Sequence, residues 1–264
     1  MYNVGWFTTA NGKTSQLLLS NVVEEIVSGK LNIKIPFVFL SKEKGESTET
    51  DNFINMVQAF NLPLVCLSFD RFRREHSELK RCEVRRLYDT EIKRLIKDYS
   101  CDIVILAGYM LIMSNEMCRS YNMINLHPSL PNGPKGTWRE VIWQLIEEKA
   151  NKSGAMMHLV TPELDRGPVI TYCSFSLRGA GLDELWQQNA NRTIAEIQQG
   201  ECESNSLFSK IRLEGIKREI PLVVCTLRAL SLSEAYIKND ALYDKTGQTI
   251  NGLDISEHIE KLIK

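Results

Sequence analysis

No C-x-x-C pair occurs among the cysteines, which stand at 66, 82, 101, 118, 173, 202 and 225, and their number is odd. Structural zinc and a disulfide framework are both disfavoured, and a reducing cytoplasm is the expected location. The chain also has almost no net charge. Its 32 Lys and Arg stand against 33 Asp and Glu, leaving −1 at pH 7. Nothing electrostatic therefore favours a nucleic-acid or membrane partner. No apolar run approaches the ~18 residues of a membrane span. The opening Met-Tyr-Asn-Val-Gly-Trp has no basic region and no apolar segment after it, so a secretory signal is not expected. There is no internal repeat and no low-complexity tract.

What is present is an ordinary globular composition. Of 264 residues, 43% are hydrophobic and 25% charged, enough for one large core or two smaller ones. Apolar spacing predicts strands at Asn3–Thr8, Pro36–Leu40, Leu64–Leu67, Asp102–Ala107 and Met123–Leu126. Between them helices are expected at Ser15–Ser28, up to Phe60, and over 75–99. The last places Val84, Leu87, Tyr88, Ile92, Leu95, Ile96 and Tyr99 on one face. Such alternation predicts an α/β fold, a mostly parallel twisted sheet with helices on both faces. Ligands of such sheets bind beyond the carboxyl ends of the strands. Asn11, Gly108 and Asn125 all lie at such ends.

Further along, a helix is expected at Trp138–Glu148. A strand pair, Ala155–Val160 and Val169–Leu177, follows and is joined by the loop Thr161–Gly167. Then come helices at Leu182–Gln199 and Leu207–Leu230, the second broken near Gly215 and Pro221, with a polar loop at 200–206 between them. The tail should hold a small hairpin turning at Asp244–Gly247 and a short helix at Ile255–Ile263. The expected division is a core at 1–177 and a C-terminal extension at 178–264, packed as one structural domain.

Two motifs carry the chemistry. Met123-Ile-Asn-Leu-His-Pro-Ser-Leu130 sets an amide, Asn125, and an imidazole, His127, two residues apart at a strand end, where period 2 turns both the same way. His158-Leu-Val-Thr-Pro-Glu-Leu-Asp-Arg-Gly-Pro-Val-Ile170 sets a carboxylate, Asp165, just before a Gly-Pro turn. An amide donor, an imidazole and a carboxylate whose pKa burial can raise suit acyl transfer to an amine. Taken alone, Asn125 could cap a turn before Pro128, and Asp165 could open an Asx turn before Gly167. Asn11-Gly12-Lys13-Thr14 lies between the first strand and the first helix, a place suited to a phosphate. A plain turn with Gly12 at positive φ is the alternative. Gly-Lys-Thr is not a P-loop, since that motif needs Gly at position 7, which is Phe7. His76, His158 and His258 are discounted as solvated, packing or pairing, and tail residues. The basic run Arg71-Phe-Arg-Arg reads as an exposed helix start.

Asn-x-His-Pro-Ser-Leu followed by Asp-x-Gly-Pro some 40 residues on resembles the folate-dependent formyltransferases. The likeness extends to Asp102-Ile-Val-Ile-Leu-Ala-Gly-Tyr-Met110 and to Asn11-Gly12. It covers roughly residues 1–177 well and the remainder loosely. The resemblance implies a Rossmann-like formyltransferase fold with a helical and small hairpin C-terminal extension. It implies 10-formyltetrahydrofolate as co-substrate, no metal, and transfer of its formyl group to an amine. Asn125, His127 and Asp165 would be catalytic. Asn11, Gly12, Lys13 and Thr14 would hold the acceptor's phosphate, with Met110 and Pro128 also on the substrate side. Leu106, Leu111, Ile112 and Met113 would line the folate's pterin pocket, closed by Val160, Thr161 and Leu164. The partners implied are a small phosphorylated amine and a reduced folate, and a homodimer is compatible with this.

His-Pro-Ser points to the purine-pathway branch, which formylates glycinamide ribonucleotide. Relatives acting on methionyl-tRNA or sugar nucleotides more often carry His-Gly-Ser, and the hydrolases His-His-Ser. No regulatory domain stands ahead of Asn3, which also disfavours the hydrolase. The chain departs from the family at several places. Ala10 replaces a Gly, and Lys13-Thr14 replaces Ser-Asn. Leu111 stands where Arg is common. Pro131–Trp138 is one residue shorter than usual, and residues 179–206 are longer. A glutamate that contacts the substrate ribose is echoed by Glu214 or Glu219. These departures touch the acceptor side. Another amine, such as an amino sugar nucleotide, and hydrolysis of the formyl folate therefore stay open as alternatives.

Overall fold

The computed structural model describes residues 1–179 and 181–264. In chain order the elements are β1 (Tyr2–Thr8), α1 (Lys13–Val27), β2 (Ile33–Lys34), β3 (Val38–Leu40), α2 (Thr48–Ala59), β4 (Leu64–Cys66), α3 (Phe69–Glu75), α4 (Arg81–Ile96), β5 (Ile103–Leu106), α5 (Asn115–Ser120) and β6 (Met123–His127). There follow α6 (Trp138–Glu147), β7 (Lys152–Leu159), β8 (Val169–Ser176), α7 (Leu182–Asn189), α8 (Ile194–Gly200), α9 (Ser206–Ser231), β9 (Ala235–Lys238), β10 (Ala241–Asp244), β11 (Leu253–Asp254) and α10 (Ser256–Leu262). The sheet is mostly parallel, with helices between its strands, a helical C-terminal extension and one antiparallel hairpin.

The chain forms two compact units. The first gathers Met1–Leu126, His158–Pro168 and Val223–Ile250. Its strands run in the order β6-β5-β1-β3-β4, with β2 on another stretch of β1, and they pair in parallel. Its core packs Phe7, Phe37 and Phe39 with Tyr88, Ile92 and Ile96 from α4 and with Val104, Leu106 and Met123. The second unit gathers His127–Met157, Val169–Leu222 and Asn251–Lys264. Its strands run β11-β8-β7. Val141, Ile142 and Leu145 of α6 pack there against Phe175, Leu177, Leu207 and Phe208.

Four expectations need correction, each for a local reason. The helix read over 75–99 starts at Arg81, with α3 before it. The Lys80 amide donates to the Glu83 carboxylate at 2.9 Å, which starts a fresh helix. The helix read over 182–199 is likewise two. Thr193 and Glu196 form a capping box, with Thr193 N to Glu196 Oε2 at 2.7 Å and Glu196 N to Thr193 Oγ1 at 3.2 Å. The break read near Pro221 is absent, since α9 runs unbroken through it. An interior Pro costs about 3 kcal/mol. Full burial of Leu222, Val223 and Leu227 offsets that. Finally, the hairpin pairs β9 with β10 and turns at Asn239 and Asp240, whose φ angles of 51° and 56° make the two-residue turn that strand twist favours. The Asp244–Gly247 turn exists, but its far arm contributes only the Tyr243–Thr249 bridge.

Candidate active site

The carboxyl ends of three strands of the first unit lie level. Phe7 of β1 pairs with Leu106 of β5, and Leu106 pairs with Asn125 of β6. Asn11, Gly108 and Asn125 therefore stand at one edge of one sheet. The β1 and β5 ends are tied together there. Thr9 N donates to the Gly108 carbonyl at 3.1 Å, and Met110 N donates to Thr9 Oγ1 at 2.9 Å. Gly108 turns at φ 71°, and a Cβ on it would lie 2.9 Å from Ser15 Oγ.

Helix α1 starts from that edge. Gly12 caps it with φ 179°, so the positive φ considered for Gly12 belongs instead to Ala10, at 52°. No side chain caps the helix start, and its first turn holds no carboxylate. The positive end of the helix dipole is thus not neutralised by the chain's own acids there. Lys13 is exposed at this end, and Thr14 is half-buried behind it.

Asn125 and Asp165 meet through a third residue. The Asn125 amide nitrogen lies 3.2 Å from His158 Nε2, and His158 Nε2 lies 3.6 Å from Asp165 Oδ1. His158 Nδ1 lies 3.0 Å from the Leu159 carbonyl, which can only accept. Nδ1 therefore carries the proton, and in the neutral ring Nε2 accepts from Asn125. One amide N–H of Asn125 is used in this way and the second points elsewhere. The 3.6 Å gap to Asp165 becomes an ion pair once the ring is protonated. His158 is buried and the Asp165 carboxylate is 13% exposed.

Backbone geometry fixes the Asp165 loop. Asp165 sits at φ 52°, in the left-handed region, which Asp enters more readily than most non-glycine residues. Leu159 N donates to the Pro168 carbonyl at 2.9 Å, closing the loop, and Val160 N donates to the Met123 carbonyl at 2.7 Å, anchoring it to β6. Gly167 passes so near Leu159 that a Cβ would fall 1.8 Å from its carbonyl oxygen.

The residues assigned to a folate pocket divide by exposure. Leu106 and Met113 are core residues of the first unit, with Leu111 and Val160 packed against the same cluster. Met110, Ile112 and Leu164 are 51%, 42% and 57% exposed. Thr161 is half-buried, and its hydroxyl donates to the Glu163 carbonyl at 3.1 Å.

His127 and Pro128 belong to the second unit. His127 is buried, and its Nε2 donates to the Pro134 carbonyl at 3.1 Å. Pro128 is half-buried. Both glutamates considered for substrate contact are held in ion pairs. Glu219 pairs with Arg212 at 2.5 Å, and Glu214 with Lys210, Lys217 and Arg218 at 3.2, 2.9 and 2.9 Å. Burial alone would raise the Glu214 pKa, but hydrogen bonds from Lys217, Arg218 and Lys210 hold it down at about 2.

His158 is the residue that sequence reasoning set aside. Its position on β7, one residue before the segment that opens the Asp165 loop, was the available signal. Of the other discounted histidines, His76 is half-buried rather than solvated, stacked 4.3 Å from Phe72, and His258 is exposed. Among the described residues, no cluster of three or more His, Cys, Asp or Glu is placed to hold a metal.

Comparison with known proteins gives a consistent picture. A family model described as formyl transferase matches residues 12–176. The chain is similar to the phosphoribosylglycinamide formyltransferase of Escherichia coli (strain K12), with 40% identity over 88 residues. That stretch is 33% of this chain and 41% of the relative, so the match spans less than half of the relative's length. In fold it is similar to the phosphoribosylglycinamide formyltransferase of Coxiella burnetii, with TM-score 0.68, 17% identity, and 96% and 98% of the two chains covered. It is also similar to a formyltetrahydrofolate deformylase of Pseudomonas syringae pv. tomato, with TM-score 0.63, 19% identity, and 92% and 65% covered. At these identities the two structures speak for the fold alone.

Proposed function

This chain belongs to the formyl transferase family, and from that premise we propose that it moves the formyl group of 10-formyltetrahydrofolate to the amine of glycinamide ribonucleotide, a step of purine biosynthesis. The observation that carries the proposal is the line Asn125–His158–Asp165 at the end of β6, at the sheet edge that α1 also starts from. The amine attacks the formyl carbon and a tetrahedral oxyanion forms. The second N–H of Asn125 donates to that oxygen. Asp165 accepts the proton that the amine loses, directly or through one water. Neutral His158 accepts from the Asn125 amide at Nε2 and so holds it in orientation. The intermediate collapses as Asp165, directly or through the same water, returns that proton to N10 of the folate, which leaves, and the formamide departs. The step balances without a nucleoside triphosphate.

On the same proposal, the acceptor's phosphate sits at the start of α1, on Asn11, Gly12, Lys13 and Thr14, where the helix dipole and Lys13 attract an anion. Met110 lies on the acceptor side. Leu106, Leu111, Ile112 and Met113, with Val160, Thr161 and Leu164, take the folate. Ile112 and Leu164 are exposed apolar side chains that a bound folate would cover.

Hydrolysis of the formyl folate is the second reading, favoured by 28% identity over 144 residues, 50% of this chain, to a formyltetrahydrofolate deformylase of Haemophilus influenzae. Water would replace the amine at the same centre. One experiment separates the two. Pure protein is mixed with 10-formyltetrahydrofolate, with and without glycinamide ribonucleotide, and tetrahydrofolate release is followed. Release only with the amine is the expected result. Equal release without it makes the protein a hydrolase. Release only with an amino sugar nucleotide moves the acceptor to that class.

A further inference from the structure

The second unit carries a cavity of about 480 Å³ built by α6, α7 and α8, within the usual size range of small-ligand sites. Its apolar lining comes from Ile146, Trp186, Ala190, Ile194 and Ile197. Three cations, Lys149, Arg178 and Arg192, line it against one carboxylate, Glu147.

Arg178 is the informative one. Its guanidinium donates to the Lys149 carbonyl at 2.8 Å, to Asn151 Oδ1 at 3.0 Å and to the Leu177 carbonyl at 3.5 Å, and it stacks 4.2 Å from the Trp186 ring. These partners fix its position, but every oxygen among them is neutral. Among the described residues no carboxylate pairs with it, and none pairs with Lys149. Arg192 differs, because Glu201 neutralises it at 2.6 Å. A guanidinium held rigidly by neutral acceptors keeps its charge for an anion, and its plane suits a carboxylate or phosphate.

We propose that this cavity is a second ligand site, which binds a small anion with a flat apolar body, an aromatic phosphate or carboxylate. The anionic group meets Arg178 and Lys149, and the ring lies against Trp186, Ile194 and Ile197. The site is independent of the formyl-transfer proposal.

Calorimetry on the full chain tests it, with 1-naphthyl phosphate, 1-naphthoate and neutral 1-naphthol as probes. The expected result is saturable one-to-one binding of at least one anion, weakened by added salt and at least tenfold tighter than 1-naphthol. Which of the two binds better tells phosphate from carboxylate. Arg178→Gln and Lys149→Glu should each weaken it about tenfold or more, since each removes a charge from the anion's seat. Ala190→Trp, at an exposed position, should fill the cavity and abolish binding with the fold intact. Binding should persist with saturating 10-formyltetrahydrofolate and in Asp165→Asn. No saturable binding, equal binding of 1-naphthol, binding untouched by all three cavity variants, or displacement by the folate would each overturn the proposal.

Discussion

Asp165 and His158 act as a pair on the proposed mechanism, and the pair can be separated by substitution. Asp165→Asn keeps the shape and removes the proton acceptor. We expect kcat to fall at least ~10³-fold with folate affinity nearly unchanged. His158→Ala frees the Asn125 amide to rotate, and a misplaced oxyanion donor costs ~10²–10³. The double variant should be little worse than Asp165→Asn, because both changes dismantle one unit. Steady-state kinetics of the three proteins check this. An Asp165→Asn enzyme within tenfold of the parent would reduce Asp165 to a turn residue. Independent, multiplicative losses would separate His158 from it.

Two glycines that look alike in sequence differ in the elements around them. Gly167 threads past the Leu159 carbonyl with no room for a methyl group, whereas a Cβ on Gly12 meets nothing within 4 Å and its φ is extended. Gly167→Ala must shift the Asp165 loop, at a cost of about 1–3 kcal/mol. Gly12→Ala should leave the melting temperature nearly unchanged. Thermal unfolding of both variants decides it, and equal melting would contradict the loop geometry. Helix α9 gives an acid-dependence test. The Glu214 carboxyl is held at about 2 in the folded chain, below its ordinary 4.5. A depressed folded pKa contributes stability that is present above about 4.5 and lost as pH falls from there towards 2. Melting temperatures measured across that window should therefore fall less steeply for Glu214→Gln than for the parent.

At the scale of the whole molecule, all seven cysteines are free thiols. Cys82 and Cys202 are exposed, Cys173 and Cys225 buried, and the rest intermediate. Burial pushes the Cys173 thiol up to about 12, which leaves little thiolate. A thiol reagent followed by mass spectrometry should label Cys82 and Cys202 first, and Cys173 only on unfolding. Reductant should not change the melting temperature. Early labelling of Cys173 would contradict the packing of the second unit.

The sequence by itself determined the alternation of strands and helices in the first unit and singled out the candidate residues of the proposed site. Apolar periodicity and strand-end polarity are local properties, and Asn125, His127 and Asp165 stand out by chemistry and spacing alone. It also placed the start of α1 near its true position, at Ser15 against the observed Lys13, because Asn11-Gly12 interrupts an apolar pattern. Only the tertiary structure decided which polar residue joins Asn125 to Asp165. His158 sits 33 residues from Asn125 in the chain, and a histidine on an apolar strand reads as packing until its neighbours are known. The same holds for α9, where burial overrides the helix-breaking tendency of Pro221. It holds too for Glu214 and Glu219, whose ion pairs come from side chains one and two turns away along α9. A short-range pattern fixes which way a residue points. Which other residue it meets depends on how distant segments fold back, and that is set by burial and hydrogen bonding across the whole core.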